Sequence, residues 1–289
     1  MTFVPMTRRT LLSLTLTGAA SLFTLPRRGQ AAAHPRRVIS IGAPVTEIVY
    51  ALGGGAQVVA VDTTSRYPQQ VDGLPHVGYM RTLAAEGLLS LSPDLILAQD
   101  GSGPATVLDQ MAAAGVTVTL VPEVPTLPGL LDKVQLIARS LGLQDAGQRL
   151  GEQLRQQLTP LEQQASTSHG LRGQSVLCLV HAGQGGPMAA GGGTVADTLI
   201  HLAGGINALR DVQDYRALSA EAALAMAPAV LVVSASSVQQ AGGLEALLAL
   251  PQIARTPAAQ QRRVAVVEGS LLLGLGPRTP QAVQMIATA

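Results

Sequence analysis

Thr82-Leu83-Ala84-Ala85-Glu86-Gly87-Leu88-Leu89-Ser90-Leu91-Ser92-Pro93-Asp94-Leu95-Ile96-Leu97 aligns without a gap on Ala217-Leu218-Ser219-Ala220-Glu221-Ala222-Ala223-Leu224-Ala225-Met226-Ala227-Pro228-Ala229-Val230-Leu231-Val232. Leu, Ala, Glu, Leu and Pro coincide. Each copy reads as a helix that ends near a proline and is followed by a short buried strand. A second copy so far along the chain, with a carboxylate in register, points to two similar lobes rather than to chance.

Working outward from the first copy, β-branched and aliphatic runs recur at 37–41, 58–61, 95–98 and 117–121, with helix-like stretches at 46–52, 82–91 and 107–114 between them. Around the second copy the same alternation returns, with strands at 175–180, 230–234 and 264–267. Strands that alternate with helices imply an α/β fold with mostly parallel sheets. Between the two series, Leu130, Leu131, Val134, Ile137, Ala138 and Leu141 mark one helical face. The segment from Gln144 to about Ser166 is rich in Gln, Glu, Leu and Ala, which are good helix formers, with Pro160 as a point of kink or break. A connection of that length joins two lobes as a stiff rod. The expected organisation is therefore a lobe over 34–143, an interdomain helix over 144–168 and a lobe over 169–289.

Residues 1–33 are set apart from the fold. Arg8-Arg9 precede an apolar run from Leu11 to Leu25, and Gln30-Ala31-Ala32-Ala33 supplies small residues suited to cleavage, the order of a secretory signal. Thr7-Arg8-Arg9-Thr10-Leu11-Leu12 is similar to a twin-arginine signal. The chain carries 19 basic and 18 acidic side chains, a formal charge of +1. Cleavage removes Arg8, Arg9, Arg27 and Arg28 and no acid, which leaves a mildly acidic protein without a basic field for nucleic acid. After Ala33 every apolar run is short or broken, so no stable membrane insertion is expected after cleavage. With 47% hydrophobic residues the chain is not disordered. Cys178 is the single cysteine, which excludes a disulfide framework and a cysteine zinc site. No G-x-S-x-G elbow or H-E-x-x-H occurs, so an enzyme is not expected. Gly53-Gly54-Gly55 and Gly191-Gly192-Gly193 lack a phosphate-loop pattern and read as turns.

The run Arg37-Val38-Ile39-Ser40-Ile41, with Thr46-Glu47-Ile48, Val61-Asp62, Tyr67-Pro68, Val77-Gly78 and Ser92-Pro93-Asp94-Leu95, resembles the substrate-binding proteins of siderophore, cobalamin and haem ABC importers. Gly78-Tyr79-Met80-Arg81-Thr82, Val180-His181-Ala182-Gly183 and the stretch from Leu272 to Pro280 resemble the periplasmic haem-binding branch in particular. The resemblance implies a monomeric periplasmic carrier, with haem as transported ligand in the cleft between the two lobes and an inner-membrane ABC permease as partner. Cobalamin or a ferric siderophore is the alternative cargo. It also implies that Tyr79 is an axial ligand of ferric haem, since a phenolate suits a hard ferric iron. Arg81 then either donates to the phenolate oxygen or pairs with a propionate. His181 is either a second axial ligand or a lining residue. Glu86 and Glu221 are implied as one docking carboxylate per lobe for the permease. Arg66, Arg216 and Arg278 are candidate propionate partners, and Met80 and Met188 are either porphyrin covers or, as methionines more often are, core fillers.

Overall fold

The computed structural model describes residues 37–164, 171–183 and 185–289; the expected signal segment and the last residues of the expected 144–168 helix lie outside them. In chain order the first lobe runs β1 (Val38–Ile41), α1 (Ala43–Ala51), β2 (Val58–Val61), α2 (Ala85–Leu89), β3 (Leu95–Gln99), α3 (Ala105–Ala113) and β4 (Thr117–Val121). Two helices follow, α4 (Leu127–Leu141) and α5 (Gln144–Gln164). The second lobe contains β5 (Ser175–His181), β6 (Met188–Ala190), α6 (Val195–Leu202), β7 (Ile206–Asn207), β8 (Tyr215–Ala217), α7 (Ala220–Met226) and β9 (Val230–Ser234). It ends with α8 (Ala235–Gln240), α9 (Leu244–Leu248), α10 (Pro257–Gln260), β10 (Val264–Val267), α11 (Gly269–Leu273) and α12 (Thr279–Ala287).

The first sheet is parallel throughout, in the order β2-β1-β3-β4. The connections reverse direction between β1 and β3, which opens a crevice at the carboxyl ends of those strands, the usual ligand position in such sheets. The second sheet runs β10-β9-β5-β6-β8, with β7 beside the start of β5. Its β5, β9 and β10 are parallel, while β6 folds back antiparallel on β5 and carries β8. The short strands β6, β7 and β8 were not foreseen, because runs of two or three residues carry no periodicity.

The inner faces of both sheets share one core. Ile48 of α1, Ile137 of α4, Leu154 and Leu158 of α5, and Leu199 of α6 all belong to it. The outer faces have separate clusters, under α2 and α3 in the first lobe and under α8, α9 and α10 in the second. Thus α5 packs on α4 along one side and on α6 and α12 along another, and apolar burial runs through it from sheet to sheet.

Helix α5 continues through Pro160, and the expected break does not occur. The proline is exposed, so the carbonyl that loses its intrahelical donor there can meet water. Close approach to α4 requires Gly147, where an added Cβ would lie 2.5 Å from the Cβ of Ala138. Leucine is the better helix former, yet overpacking of this kind costs about 1–3 kcal/mol. Gly147→Leu is therefore expected to lower the thermal unfolding midpoint followed by circular dichroism; an unchanged midpoint would show that the α4–α5 contact yields freely.

The repeat is real in three dimensions. Its helices, α2 and α7, are shorter than the sequence suggested, with α2 confined to 85–89 instead of 82–91. Each is followed by a non-glycine residue in the left-handed region, Ser92 at φ 45° and Ala227 at φ 41°, a conformation uncommon outside glycine. A proline and a buried strand, β3 or β9, then follow in both copies.

Candidate functional site

The loop between β2 and α2 is built to present alternate side chains. Buried Asp62, at the end of β2, accepts from the amides of Gly42 (2.8 Å) and Thr64 (3.0 Å) and from the hydroxyls of Thr64 and Ser65. That ties the ends of β1 and β2 together. Farther on, Thr63 N donates to Gly78 O (2.9 Å) and Thr82 N to Tyr79 O (2.8 Å). Gly103 N donates to Met80 O and Leu83 N to Gly103 O, both 2.9 Å. Met80 and Leu83 are buried in the outer core of the first lobe. Met80 is therefore a core anchor and not a porphyrin cover. Its neighbours point the other way: Tyr79 is 47% exposed and Arg81 is exposed. Among the described residues, neither side chain has a hydrogen bond or an ion pair within the protein.

The second lobe contributes the hairpin of β5 and β6 and the strand β8. His181 is the last residue of β5, one residue beyond the end expected, and is opposite Met188 of β6 in the ladder. Its ring crowds Gly183, where a Cβ would lie 3.0 Å from His181 Cε1 and 3.1 Å from Gln240 Oε1. Met188 is exposed. On β8, burial pushes the Tyr215 hydroxyl up to about 12, with the nearby Cys178, Glu123 and Asp214 raising it further and Arg81 pulling it back. Tyr215 is a neutral phenol at neutral pH. Cys178 is fully buried, its thiol pushed up to about 12 by burial, and is inert.

The repeat extends one residue toward the N-terminus of the segment first aligned, and pairs Arg81 with Arg216, both exposed. Sequence comparison alone held this signal, since Arg81 and Arg216 immediately precede the aligned segments. Arg66 is exposed as well. Glu86 and Glu221 occupy the second positions of α2 and α7, and both are exposed.

Gly191 and Gly192 do not cradle a phosphate. Their amides donate to Asp214 O and Val212 O, both at 2.8 Å, and a Cβ at Gly191 would lie 1.9 Å from Val212 O. The glycines allow two backbones to touch.

Charged residues that no spacing rule would pair join the lobes. Glu47 of α1 takes a two-pronged bond from Arg278, with Nε to Oε2 at 3.0 Å and Nη2 to Oε1 at 2.5 Å. Arg278 also donates to Glu268 at 2.7 Å and lies 3.9 Å over the ring of Tyr67. Lys133 of α4 bonds Glu123 at 2.5 Å and Leu275 O at 2.9 Å, while Leu275 N donates to Glu123. A Cβ at Gly274 would sit 2.1 Å from Pro44 Cγ. The stretch from Leu272 to Pro280 is thus a strap on the first lobe. With its guanidinium taken by two carboxylates, Arg278 is a lobe clasp and not a propionate partner.

The model of the periplasmic binding protein family matches residues 38–271, from the first residue of β1 into α11. The chain belongs to the periplasmic binding protein family. It is 32% identical over 221 residues to the vitamin B12-binding protein of Yersinia pestis (strain Pestoides F), a match that covers 76% of this chain and 75% of that one. Among solved structures it is similar to the periplasmic heme-binding protein RhuT from Roseiflexus sp. RS-1 in apo form, at 37% identity and a TM-score of 0.82 over 88% of this chain and 97% of that chain. The heme-binding protein BhuT in complex with two hemes matches at 37% identity and 0.80, over 87% and 97%. HutB of Vibrio cholerae matches at 37% and 0.79, over 87% and 97%. Each of these relatives is named for a ligand that it binds. No helix among the described residues is long and apolar enough to cross a membrane.

Proposed function

We propose that this protein captures ferric haem in the periplasm, with Tyr79 as an axial ligand of the iron, and delivers it to an ABC-type importer of the inner membrane. The observation that carries this reading is the pinned loop of 78–83: it presents a half-exposed phenol and an exposed arginine, neither with a hydrogen bond or ion pair among the described residues. A phenolate oxygen matches ferric iron, and the iron itself together with the nearby guanidinium favours the ionised phenol. Arg81 and Arg216, one from each lobe and both exposed, are the candidates for the propionate carboxylates, which their forked donors suit. His181, at the carboxyl end of β5, takes one of two roles, second ligand or lining. The family, the heme-binding neighbours and the signal-like leader support the periplasmic carrier, working as a monomer with its lobes at 34–143 and 169–289 and the helix at 144–168 between them.

The B12-binding relative supports a second reading, cobalamin as cargo. Titration of the purified protein with hemin, cyanocobalamin and a ferric siderophore, followed by absorbance, separates the two. The expected result is a saturable hemin spectrum and no change with cobalamin; tight cobalamin binding without a hemin response would transfer the fold to the other cargo.

Glu86 and Glu221 dock the permease. Acidic knobs on each lobe fix orientation and raise the association rate more than they raise affinity. The double variant Glu86→Ala, Glu221→Ala is expected to abolish growth on haem as iron source while the hemin titration stays unchanged. Growth at the parental rate would remove the docking role from both residues.

A further inference from the structure

The junction of the two lobes leaves two aliphatic side chains uncovered. Val124 follows the carboxyl end of β4 and is bracketed by bonds from the second lobe. Leu275 N donates to Glu123 Oε1 (3.2 Å) on one side of it, and Thr198 Oγ1 donates to Pro125 O (2.5 Å) on the other. Val124 is nevertheless 47% exposed. Leu273 ends α11, between Leu272 in the shared core and Gly274 against Pro44. It is 48% exposed, while all its neighbours in 271–276 are buried. The two residues are held close together, because a Cβ at Gly274 would lie 3.2 Å from Glu123 Oε2. Pro44 opens α1 just beyond β1, so the pair stands at the carboxyl ends of β1 and β4, the side on which such sheets take ligands.

We infer that Leu273 and Val124 form an apolar floor for the flat body of a tetrapyrrole, an inference that rests on the haem reading proposed above. The cleft then recognises the porphyrin as well as its iron, and the ligand class widens to protoporphyrins with or without metal. A single exposed leucine needs no explanation, but these two side chains are set on backbone that is bonded or packed on both sides. Little freedom is lost when a ligand covers such a surface. Glu123, beside the pair, is neutralised by Lys133 at 2.5 Å, so its charge is already paired. The cations lie elsewhere, on exposed Arg81 and Arg216, and suit acid groups at the edge of the ligand. A rigid apolar body with carboxylates at one edge matches this division. The amide fringe of a cobalamin, or the iron-binding oxygens of a siderophore, would lose water on the aliphatic floor without gaining partners.

The test titrates the purified protein with hemin, followed by absorbance, and with iron-free protoporphyrin IX, followed by its fluorescence. Protoporphyrin IX is expected to bind saturably and to be displaced by hemin. Leu273→Ser with Val124→Ser is expected to weaken both ligands about tenfold, as lost apolar contact implies, with the hemin bands unmoved. The ratio of the two affinities then stays at the parental value, whereas Tyr79→Phe lowers it. Leu273→Met with Val124→Ile keeps the apolar surface and should bind both ligands as the parent does. Circular dichroism first establishes that each variant is folded. Hemin binding by the parent without protoporphyrin binding, or protoporphyrin that hemin does not displace, would overturn the floor and leave the ferric reading in place. A serine variant within twofold of the parent for both ligands would do the same. Absence of hemin binding by the parent would instead remove the haem reading, and the floor with it.

Discussion

Tyr79→Phe is expected to lower hemin affinity by about a hundredfold or more and to abolish the charge-transfer bands of a tyrosinate-ligated ferric haem. The change deletes one oxygen. The ring stays, its 47% exposure shows that the core does not depend on it, and Met80 and Leu83 still anchor the loop just after it. A loss of binding would therefore report ligation and not unfolding. The magnitude follows from neighbours of metal ligands, whose removal alone costs about ten- to a hundredfold; removal of the ligand should exceed that. Arg81→Ala is the graded companion. If Arg81 donates to the phenolate, its loss should shift the spectrum as well as weaken binding about tenfold; if it pairs with a propionate, binding should weaken with the spectrum unmoved. A Tyr79→Phe protein with the parental spectrum and affinity would exclude ligation by this residue and pass attention to His181.

The layout of the lobes was legible in the sequence because strands and helices repeat with their own periods. Residues 127–141, read as one helical face, are α4 as found. The copied segment carried even the left-handed turn shared by Ser92 and Ala227. Tyr79 and Arg81 were singled out by the resemblance of 78–82 to the haem-binding branch, and their exposure on either side of buried Met80 is what the structure adds. Met80 stayed open between porphyrin cover and core filler because a methionine between two site residues looks the same in either case, and its burial in the outer core of the first lobe decides for the core. The lobe clasp was illegible for a deeper reason. Glu47 and Arg278 are 231 positions apart, and each taken singly is an ordinary charged residue in a motif. Their pairing depends on how α1 meets the strap before α12, which no local pattern encodes.

That clasp carries the second large expectation. The Glu47 side chain is 4% exposed and that of Arg278 12%, so removing one partner strands the other. Arg278→Met keeps length and apolar bulk but leaves Glu47 as a buried carboxylate without its cation, a loss of about 3–5 kcal/mol in comparable cases. The companion Glu47→Gln, Arg278→Met removes both charges and should recover much of that loss, since a pair replaced as a unit is often nearly neutral. The pH dependence has a definite sign. Burial already pushes the Glu47 carboxyl up, against the pull of Arg278, and without that pull it rises further above its unfolded value. A carboxyl raised in this way destabilises the fold at high pH and takes up a proton as the pH falls, so the deficit of Arg278→Met should shrink on acidification. Glu268 acts in the same direction. Arg278 holds its carboxyl below the usual range, so its contribution to the parent is present at neutral pH and disappears as the pH falls through that lowered value. Urea unfolding of the parent and both variants at neutral and mildly acidic pH reads all of this at once. A deficit under about 1 kcal/mol at neutral pH, the range of an exposed ion pair, would mean that the apolar core through α4 and α5 holds the lobes together without the clasp.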